Sequence, residues 1–398
     1  MAPASPTRAW ITLAALSLLF FHITAATFTS LGVVLPAMVS ELHWSWGDAG
    51  LGFTLLAVAC GLASLAPALV IRLLGVRAAL LLGGVVLAAG LLLFATAHGV
   101  AGYLLGAVLA GVGFALAAII PGTFVLARAF PNPSLAFGLY FTVGGLGGAA
   151  GPILAHFGVQ TDWRGYWFAA AAISVILAAL AAASVASRWA QAEERLDPDQ
   201  PPADGWSVAD ALRTPQFWIV TFAYTAYLLL GVTVNYASVE HLTERGFAPA
   251  TAAALLSAEN LLNAMSRAAG GWAGSRVDAR KLTMIGLVAL PIGAVALSLA
   301  HGSGLAALYV AGSGIGYGLA YLATPVLLLA YFGRRRNLEL FSLMCLISTA
   351  AAVGPWLAGV SHDKTGGFSP ALWGFAAVAL VALGAVALMK PPVRRTSA

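Results

Sequence analysis

Apolar runs long enough to cross a lipid bilayer recur along the whole chain of 398 residues, and they restrict the possible folds more than any other feature. A hydrocarbon core about 30 Å thick needs about 20 apolar residues in a helix. The runs are rich in Ala, Leu, Val and Gly, and they lack the apolar–polar alternation of membrane-barrel strands. In addition, 60% of all residues are apolar and the mean hydropathy is +0.90. We therefore predict an all-α membrane protein.

Hydropathy predicts twelve membrane spans, at residues 9–38, 49–71, 77–97, 101–128, 135–157, 165–187, 216–239, 250–272, 283–300, 305–332, 339–360 and 371–389. The first run is too long for the core of a cleaved signal peptide, so we expect it to be retained as a helix. One long polar segment separates spans six and seven and holds six of the fifteen acidic residues. It predicts an N-terminal half at residues 1–188, a linker at 189–215 and a C-terminal half at 216–398.

The distribution of basic residues predicts the orientation of the chain. With a cytoplasmic N-terminus, sixteen of the twenty Lys and Arg residues lie on the cytoplasmic side, and only Arg164, Arg245 and Lys364 lie outside. Cytoplasmic loops of membrane proteins carry this excess of positive charge. We expect both termini in the cytoplasm. The net charge of +5 then follows from the topology, and no binding of nucleic acid is expected.

Several matches at one offset of 203 residues indicate an internal repeat. Arg77 matches Arg280, and the Gly-Pro pair at 151–152 matches the Gly-Pro pair at 354–355. Because these matches are independent, they predict two six-helix halves of similar design.

Two parallel six-helix halves joined by a linker are the organisation of the major facilitator superfamily, which the sequence resembles over almost its whole length. The family's loop signature, Gly-x-x-x-Asp-Arg-x-Gly-x-Arg, is matched after span eight by Gly271, Arg276 and Arg280, with Ser275 at the acidic position. In the first half, Arg72 stands at that acidic position. The resemblance implies the major facilitator fold, a solute site between the halves near the bilayer midplane, and alternating access by rocking.

Four stretches resemble the bacterial monocarboxylate transporter and oxalate/formate antiporter group: GWSVADALRTPQFWIV, VEHLTERGFAPATAAALLS, SLGVVLPAMVSELHWSWGDAG and VSHDKTGGFSPAL. In the monocarboxylate branch, an arginine on span eight engages the substrate carboxylate, and an Asp or Asn precedes it by four residues. The resemblance implies these roles for Arg267 and Asn263, and a bacterial inner membrane as the location. The dianion-exchanging branch carries a lysine in span eleven, which is absent here and favours a substrate with one negative charge. Animal members carry a lysine directly after the proline that ends span one, whereas in this sequence Pro36 is followed by Ala37.

Span eight carries two opposite charges, Glu259 and Arg267, in a chain of which only 9% is charged. A charge within the membrane costs roughly 2.5–3.5 kcal/mol on insertion scales and marks a functional site by default. With Asn263, these residues stand at i, i+4 and i+8, a spacing that can form one stripe facing a central cavity. About 12 Å of axial rise separates the two charges, which is too far for an ion pair within one helix.

We expect Arg267 to bind a substrate carboxylate, since guanidinium is always charged and offers a bidentate fork. The alternative is a structural role in capping carbonyl groups of a broken helix. Asn263 is expected to orient Arg267 or the substrate, or else to pack between helices. Glu259 is expected to carry a coupling proton, although its place towards the outer end of the span also suits a hydrated side chain. His22, in the middle of span one, is a second candidate for proton coupling, although a lone histidine in an apolar helix is more often a packing group.

Tyrosines on spans seven and ten can line a pocket for a small organic acid, because each has an apolar ring and a hydroxyl tip. Tyr321 and Tyr227 are the predicted substrate contacts, with Tyr317 and Tyr224 about one helical turn away. The same residues are ordinary at helix interfaces.

Glycine runs such as GGLGGAAGP lie inside the spans, where small residues allow close helix packing, and no P-loop is present. That run also resembles the fifth-helix Gly-Pro motif of antiporters, so exchange or efflux stays open. The sequence lacks the catalytic motifs that would indicate an enzyme, and no cofactor or metal is expected.

The sequence predicts a secondary active transporter of a small monocarboxylate-like organic anion, coupled to a proton and acting as a monomer. The first alternative is a proton-driven exporter of hydrophobic or cationic compounds, in which Glu259 binds the cation and Arg267 is structural. The second is a sensor that has a transporter fold and does not transport.

Overall fold

The computed structural model describes residues 6–130, 134–190, 206–273, 277–333 and 337–392. Two sets of six long helices make up these residues. The N-terminal half comprises α1 (Pro6–Thr24, continued by Ala25–Thr29 and Ser30–Leu42), α2 (Trp46–Leu62, continued by Ala63–Leu65 and Ala66–Leu74), α3 (Val76–Ala95), α4 (Val100–Ala117 and Ile119–Ala129), α5 (Ser134–Thr161) and α6 (Trp163–Ser184). The C-terminal half comprises α7 (Pro215–Glu244), α8 (Pro249–Ala273), α9 (Ala279–Ser298), α10 (Ser303–Phe332), α11 (Asn337–Ser348, continued by Thr349–Ala352 and Val353–Thr365) and α12 (Ser369–Leu388).

The predicted fold class is confirmed. Among the described residues, ten helices are long and apolar enough to cross a membrane. The two other long helices, α5 with 28 residues and α8 with 25, occupy the places of predicted spans five and eight. The chain is therefore a multi-pass membrane protein with twelve spanning helices. Several helices extend beyond the predicted spans, among them α1 to Leu42 and α7 to Glu244, and the longer α7 places Glu240 and Glu244 on a helix.

Two short helices, Ser187–Ala190 and Val208–Leu212, lie where the chain passes from one half to the other. We call the side of the bundle that carries them the terminal side, since both described chain ends also lie there, and the opposite side the distal side. Most of the predicted linker at 189–215 lies outside the described residues, so its boundaries stay a prediction.

The halves repeat one tertiary contact, which agrees with the offset found in the sequence. Helices α3 and α9 both contain 20 residues and begin 203 positions apart. Arg77 Nε donates a hydrogen bond of 3.1 Å to the carbonyl oxygen of Val185, and Arg280 Nε donates one of 3.0 Å to that of Val386. Each arginine thereby ties the start of the third helix in its half to the end of the sixth.

Polar side chains cap the N-termini of several helices, where they accept hydrogen bonds from the free backbone amides of the first turn. Ser45 Oγ accepts from the amide of Asp48 at 3.0 Å at the start of α2. Asp162 and Asp278 do the same for α6 and α9. These caps sit at the ends of the apolar runs, which explains why short polar segments separate the helices.

A group of hydrogen bonds that we call the distal clamp joins the two halves. Asp363 of α11 accepts from the backbone amides of Trp46 at 2.9 Å and Gly47 at 2.7 Å, at the first turn of α2. The hydroxyl of Tyr236 on α7 donates to the carbonyl oxygen of Trp46 at 2.5 Å. A carboxylate at a helix N-terminus is stabilised by the helix dipole. The clamp therefore holds the halves together on the distal side.

Candidate functional site

Arg267 lies on α8, six residues before the helix ends at Ala273. Its Nε donates a hydrogen bond of 2.9 Å to Oδ1 of Asn263, one turn earlier. Among the described residues, its two terminal nitrogens form no hydrogen bond with a protein group. The side chain is half-buried. Asn263 therefore fixes the guanidinium by one edge, and the edge that suits a carboxylate stays free of the described protein groups.

The predicted tyrosines come together beside Arg267 and form what we call the tyrosine cluster, which consists of Tyr224, Tyr227, Tyr317 and Tyr321. The guanidinium carbon of Arg267 lies 3.8 Å from the ring centroid of Tyr321 and 5.8 Å from that of Tyr317. This is the geometry of a cation–π contact. Tyr321 is 36% exposed and Arg267 is half-buried, so neither side chain is sealed inside the protein.

Tyr227 lies behind Tyr317 and Tyr321, further from Arg267. Its ring centroid is 5.3 Å from that of Tyr317 and 6.3 Å from that of Tyr321, and its side chain is fully buried. The next member, Tyr224, packs 5.0 Å from Tyr227. The structure thus places Tyr227 as a support for the cluster, whereas the predicted role was a direct contact with substrate.

Glu259 is buried in the interior of the C-terminal half. It is 4% exposed and lies two residues from the middle of α8, where its Oε2 has no hydrogen-bond partner among the described residues. It lines a cavity of about 10 Å³ together with Gly231 of α7, Leu290 of α9 and Ser313 of α10. The alternative of a side chain exposed to bulk water near the outer end of the span is wrong for this structure.

The structure does not show the expected single stripe facing a central cavity, because Glu259 is buried inside the C-terminal half whereas Arg267 is half-buried. At 3.6 residues per turn, each step of four residues advances by about 40°, so Glu259 and Arg267 point about 80° apart. A step of seven residues nearly closes two turns, and Arg267 accordingly shares a face with Asn260. That face meets α5 of the N-terminal half, since a Cβ at Gly148 would lie 3.7 Å from Oδ1 of Asn260.

The face that carries Glu259 packs against α10. A Cβ at Gly314 would lie 2.8 Å from the carbonyl oxygen of Glu259, and one at Gly318 would overlap the carbonyl oxygen of Asn263. Glycine at these two positions lets the backbones of α8 and α10 approach closely. Glu259 is therefore held inside one half, and only the Arg267 end of the series lies near the boundary between the halves.

The sequence did not predict a pair of hydrogen-bonded asparagine side chains, Asn235 and Asn260, near the boundary between the halves. Asn260 Nδ2 donates to Oδ1 of Asn235 at 3.3 Å, and Asn235 Nδ2 donates to the carbonyl oxygen of Gly231 at 3.0 Å. Gly32 of α1 packs directly on the carbonyl oxygen of Asn235, because a Cβ there would overlap it. The available signal was an asparagine in an apolar span, seven residues before Arg267.

Helix α1 is interrupted in its middle by a π-helical turn, Ala25–Thr29, where Thr27 has φ −104° and ψ −106°. Side chains on either side of the break bond the backbone of α5. Thr24 Oγ1 donates to the carbonyl oxygen of Gly144 at 2.6 Å, and Ser30 Oγ donates to that of Gly151 at 3.1 Å. Such turns are frequent at functional sites. This one faces α5, the helix that also contacts α8.

The structure does not bring His22 to this site. Its Nε2 lies 3.0 Å from the carbonyl oxygen of Ala170 and 2.9 Å from Oγ of Ser174, both on α6. His22 is thus hydrogen-bonded between two helices of the N-terminal half, which is the packing role that the sequence left open.

A larger cavity of about 430 Å³ lies on the distal side, between the ends of α1 and α5 in one half and α7 and α8 in the other. Most of its lining is apolar, and its polar lining residues are His156, Gln160, Glu240 and Thr243. The sequence did not single out these residues, because they lie beyond or at the ends of the predicted spans. The cavity is an opening between the halves, on the side away from Arg267.

Comparison with known proteins agrees with this architecture. The family model described as Major Facilitator Superfamily matches residues 16–243, which is more than half of the chain. No curated relative matches the sequence.

Solved structures with the same fold include a mutant of the nucleoside transporter NupG, with 16% identity, coverage of 95% of this chain and 99% of that chain, and a TM-score of 0.78. A POT family transporter in complex with 5-aminolevulinic acid has 13% identity, coverage of 94% and 95%, and a TM-score of 0.75. A bacterial homologue of the human lysosomal transporter Spinster, inward-facing and occupied, has 16% identity, coverage of 97% and 95%, and a TM-score of 0.71. At these identities, the likeness shows the fold alone.

Proposed function

Because the chain belongs to the Major Facilitator Superfamily, we propose that it is a secondary active transporter that moves a small monocarboxylate-like anion together with a proton. The observation that carries this proposal is the state of Arg267. It is a permanent positive charge within a spanning helix, oriented by Asn263 and stacked on Tyr321. Its terminal nitrogens are not engaged by any described protein group.

A carboxylate fits the free edge of this guanidinium. Two parallel N–H groups can donate to its two oxygens, and such charge-assisted pairs are about twice as strong as neutral hydrogen bonds. The ring of Tyr321 offers an apolar surface beside the charge for the small organic part of the substrate. Since Arg267 is the single cation on α8 within this cluster, one negative charge on the substrate suffices to neutralise it.

Charge balance links the anion to a proton. When an anion binds Arg267, the positive charge that offset Glu259 is neutralised, and a carboxylate buried on the same helix is left uncompensated. Because an uncompensated charge in the membrane interior is costly, Glu259 then favours its neutral, protonated form. The loaded site carries no net charge, which lets the halves rock. A site that has lost its anion while Glu259 stays protonated opposes this movement, because closure would bury the bare cation of Arg267.

The alternative of an exporter for cationic compounds requires an organic cation to reach Glu259. The cavity at Glu259 measures about 10 Å³, which is room for about one water molecule. The half-buried Arg267 lies at the more accessible end of the series. These observations favour an anion over a cation as the transported solute.

We further propose that the terminal side faces the cytoplasm of a bacterial inner membrane, as the excess of basic residues favours, and that the transporter acts as a monomer. The direction of net transport depends on the gradients, because each step of an alternating-access cycle is reversible.

A thermal-shift screen of the purified protein tests the proposal. Acetate, lactate, pyruvate, oxalate and a cationic dye are compared for wild type, Arg267→Gln and the control Arg245→Gln. Arg245 is a partly buried arginine of the same half that bonds Ser369 and His301 on the distal side. We expect the singly charged acids to stabilise wild type and the Arg245 variant, and not the Arg267 variant. Stabilisation by the dye alone would contradict the proposal.

A further inference from the structure

Buried polar side chains without a hydrogen-bond partner are concentrated on three helices of the C-terminal half. Among the described residues, nine carry such atoms, and eight of the nine lie on α7, α8 or α10: Thr221, Tyr227, Ser238, His241, Ser257, Glu259, Tyr309 and Ser313. Leaving such a group unpaired costs about 1–3 kcal/mol. Buried groups of this kind are ordinarily satisfied by bound water. The concentration therefore indicates an internal hydrated region in this half.

The spacing of these residues turns them towards one another. Positions on one face of a helix recur every three or four residues. Ser238 and His241 on α7 stand three apart, in register with Gly231 and Val234, two residues that line the cavity at Glu259. On α10, the positions Tyr309, Ser313 and Tyr317 stand four apart, and the last two line the same cavity. The two polar faces thus converge on Glu259.

Helix positions and the neighbours of each side chain order these groups from the distal side inwards. His241 lies three residues before the distal end of α7, is 2% exposed, and has its ring near the backbone of Leu297 and Ser298 at the end of α9. The hydroxyl of Tyr309 lies beside that of Ser238 and within electrostatic range of Glu259. Ser238 and Tyr309 are fully buried, and Ser313 is 3% exposed. The cavity of about 10 Å³ between Ser313 and Glu259 has room for about one water molecule.

The distal end of this series reaches solvent through a hydrogen-bonded pair of side chains. His362 Nε2 and Glu244 Oε1 lie 2.6 Å apart, and the carboxyl side chain is 32% exposed. The ring of Phe368 packs between this pair and His241, with centroid distances of 4.5 Å to His362 and 6.2 Å to His241.

The other charged and titratable groups near the series are few among the described residues. Near its distal end lie Glu240 and Arg245, the latter bonded to His301. Around Glu259 lie Arg267 on its own helix and Tyr317 on α10, with Tyr227 of α7 next to Tyr317. Helix α9 contributes only apolar side chains to the cavity, and Gly145 and Gly148 of α5 lie against α8.

We propose that these side chains form a proton path inside the C-terminal half, from the Glu244–His362 pair through His241, Ser238, Tyr309 and Ser313 to Glu259. The proposal rests on the proposed function, in which Glu259 carries the coupling proton. Each group accepts one proton and passes on another, so the hydroxyl groups and the imidazole end unchanged. The net result is one proton taken from the distal solvent and one O–H bond formed on the Glu259 carboxylate. The proton therefore approaches through one half, while the anion reaches Arg267 beside Tyr321.

Infrared spectroscopy of the purified protein tests this path without requiring transport. In the substrate-free protein, at a pH low enough to protonate Glu259, the carbonyl stretch of this carboxylic acid is identified by its loss in Glu259→Gln, and its hydrogen–deuterium exchange is followed after transfer to D₂O. Ser238→Ala, Tyr309→Phe and Ser313→Ala each remove one hydroxyl with little change of shape. Thr324→Val is the matched control on α10, because that buried hydroxyl already bonds the carbonyl oxygen of Ala320 at 2.7 Å.

We expect exchange at Glu259 to slow at least tenfold in Tyr309→Phe and in Ser238→Ala, and to keep its wild-type rate in Thr324→Val. Ser313→Ala provides an independent variant should either of the first two fail to fold. Wild-type exchange rates in the path variants, or the absence of any carboxylic acid band that depends on Glu259, would overturn the proposal. Because the readout needs no substrate, this result is separable from a failure of anion binding at Arg267.

Discussion

Arg267 and Asn263 are joined by a hydrogen bond of 2.9 Å from Nε to Oδ1, one turn apart on α8. Removing the amide in Asn263→Ala frees the guanidinium to adopt other rotamers. A hydrogen bond to a charged group contributes about 1.5–3 kcal/mol, so we expect substrate affinity to fall about tenfold or more. Equilibrium binding of a labelled monocarboxylate measures the change. Asn260→Ala is the control, because that amide bonds Asn235 and not Arg267, and an equal loss in both variants would contradict the orienting role.

The close approach of α8 and α10 predicts a packing defect in Gly318→Ala. The new methyl group would overlap the carbonyl oxygen of Asn263 and push the helices apart. Overpacking of this kind costs about 1–3 kcal/mol, which thermal unfolding in detergent detects. Gly374→Ala on α12 is the matched control, because a Cβ there meets nothing within 4 Å. Equal unfolding temperatures for the two variants would show that the helix contact is looser than described.

The distal clamp predicts a shift in the balance of conformations for Asp363→Ala. The substitution removes the acceptor for the amides of Trp46 and Gly47 and so the bonds between α11 and α2. Loss of a capping carboxylate costs about 1 kcal/mol, and the population with an open distal side should rise several-fold. Spin-label distances between the distal ends of α2 and α11 report the change. Asp162→Ala removes a cap within one half, and we expect it to leave these distances unaltered.

We expect opposite effects on proton-driven accumulation from substitution of the two candidates for proton coupling, His22 and Glu259. His22→Gln disturbs the hydrogen bonds to Ala170 and Ser174, so we expect slightly lower stability and normal proton-driven accumulation in proteoliposomes. Glu259→Gln mimics the protonated form permanently, so we expect accumulation driven by a proton gradient to be lost and exchange of substrate for substrate to continue. Loss of coupling in the His22 variant together with normal coupling in the Glu259 variant would reverse this assignment.

The fold could be predicted because its determinants are local. The length of each apolar run sets a spanning helix, and the offset of 203 residues between Arg77 and Arg280 reveals the repeated design. The three polar residues of α8, Glu259, Asn263 and Arg267, could also be identified as candidate site residues, because they stand out in an apolar run. The neighbours of each residue could not be predicted, because the packing of α8 against α5 and α10 is set by tertiary contacts.

Contacts between distant parts of the chain lay beyond the sequence. Asp363 and Trp46 are 317 residues apart, and nothing in either local pattern marks them as partners. Likewise, the cavity around Glu259 is formed by Gly231, Leu290 and Ser313, which come from three other helices. Tertiary packing decides which face of a spanning helix meets which neighbouring helix. Hydropathy carries almost no information about these contacts in a chain whose helices are apolar on all sides.

Equilibrium binding of a labelled monocarboxylate to purified Arg267→Gln tests the central claim most directly. Removal of one partner of a charged, hydrogen-bonded pair costs about 2 kcal/mol or more, which corresponds to about 30-fold in Kd. We predict at least this loss for Arg267→Gln, together with unchanged affinity for the control Arg245→Gln and an intact thermal unfolding transition in both. Binding by the Arg267 variant with wild-type affinity would contradict the assignment of Arg267 as the anion site.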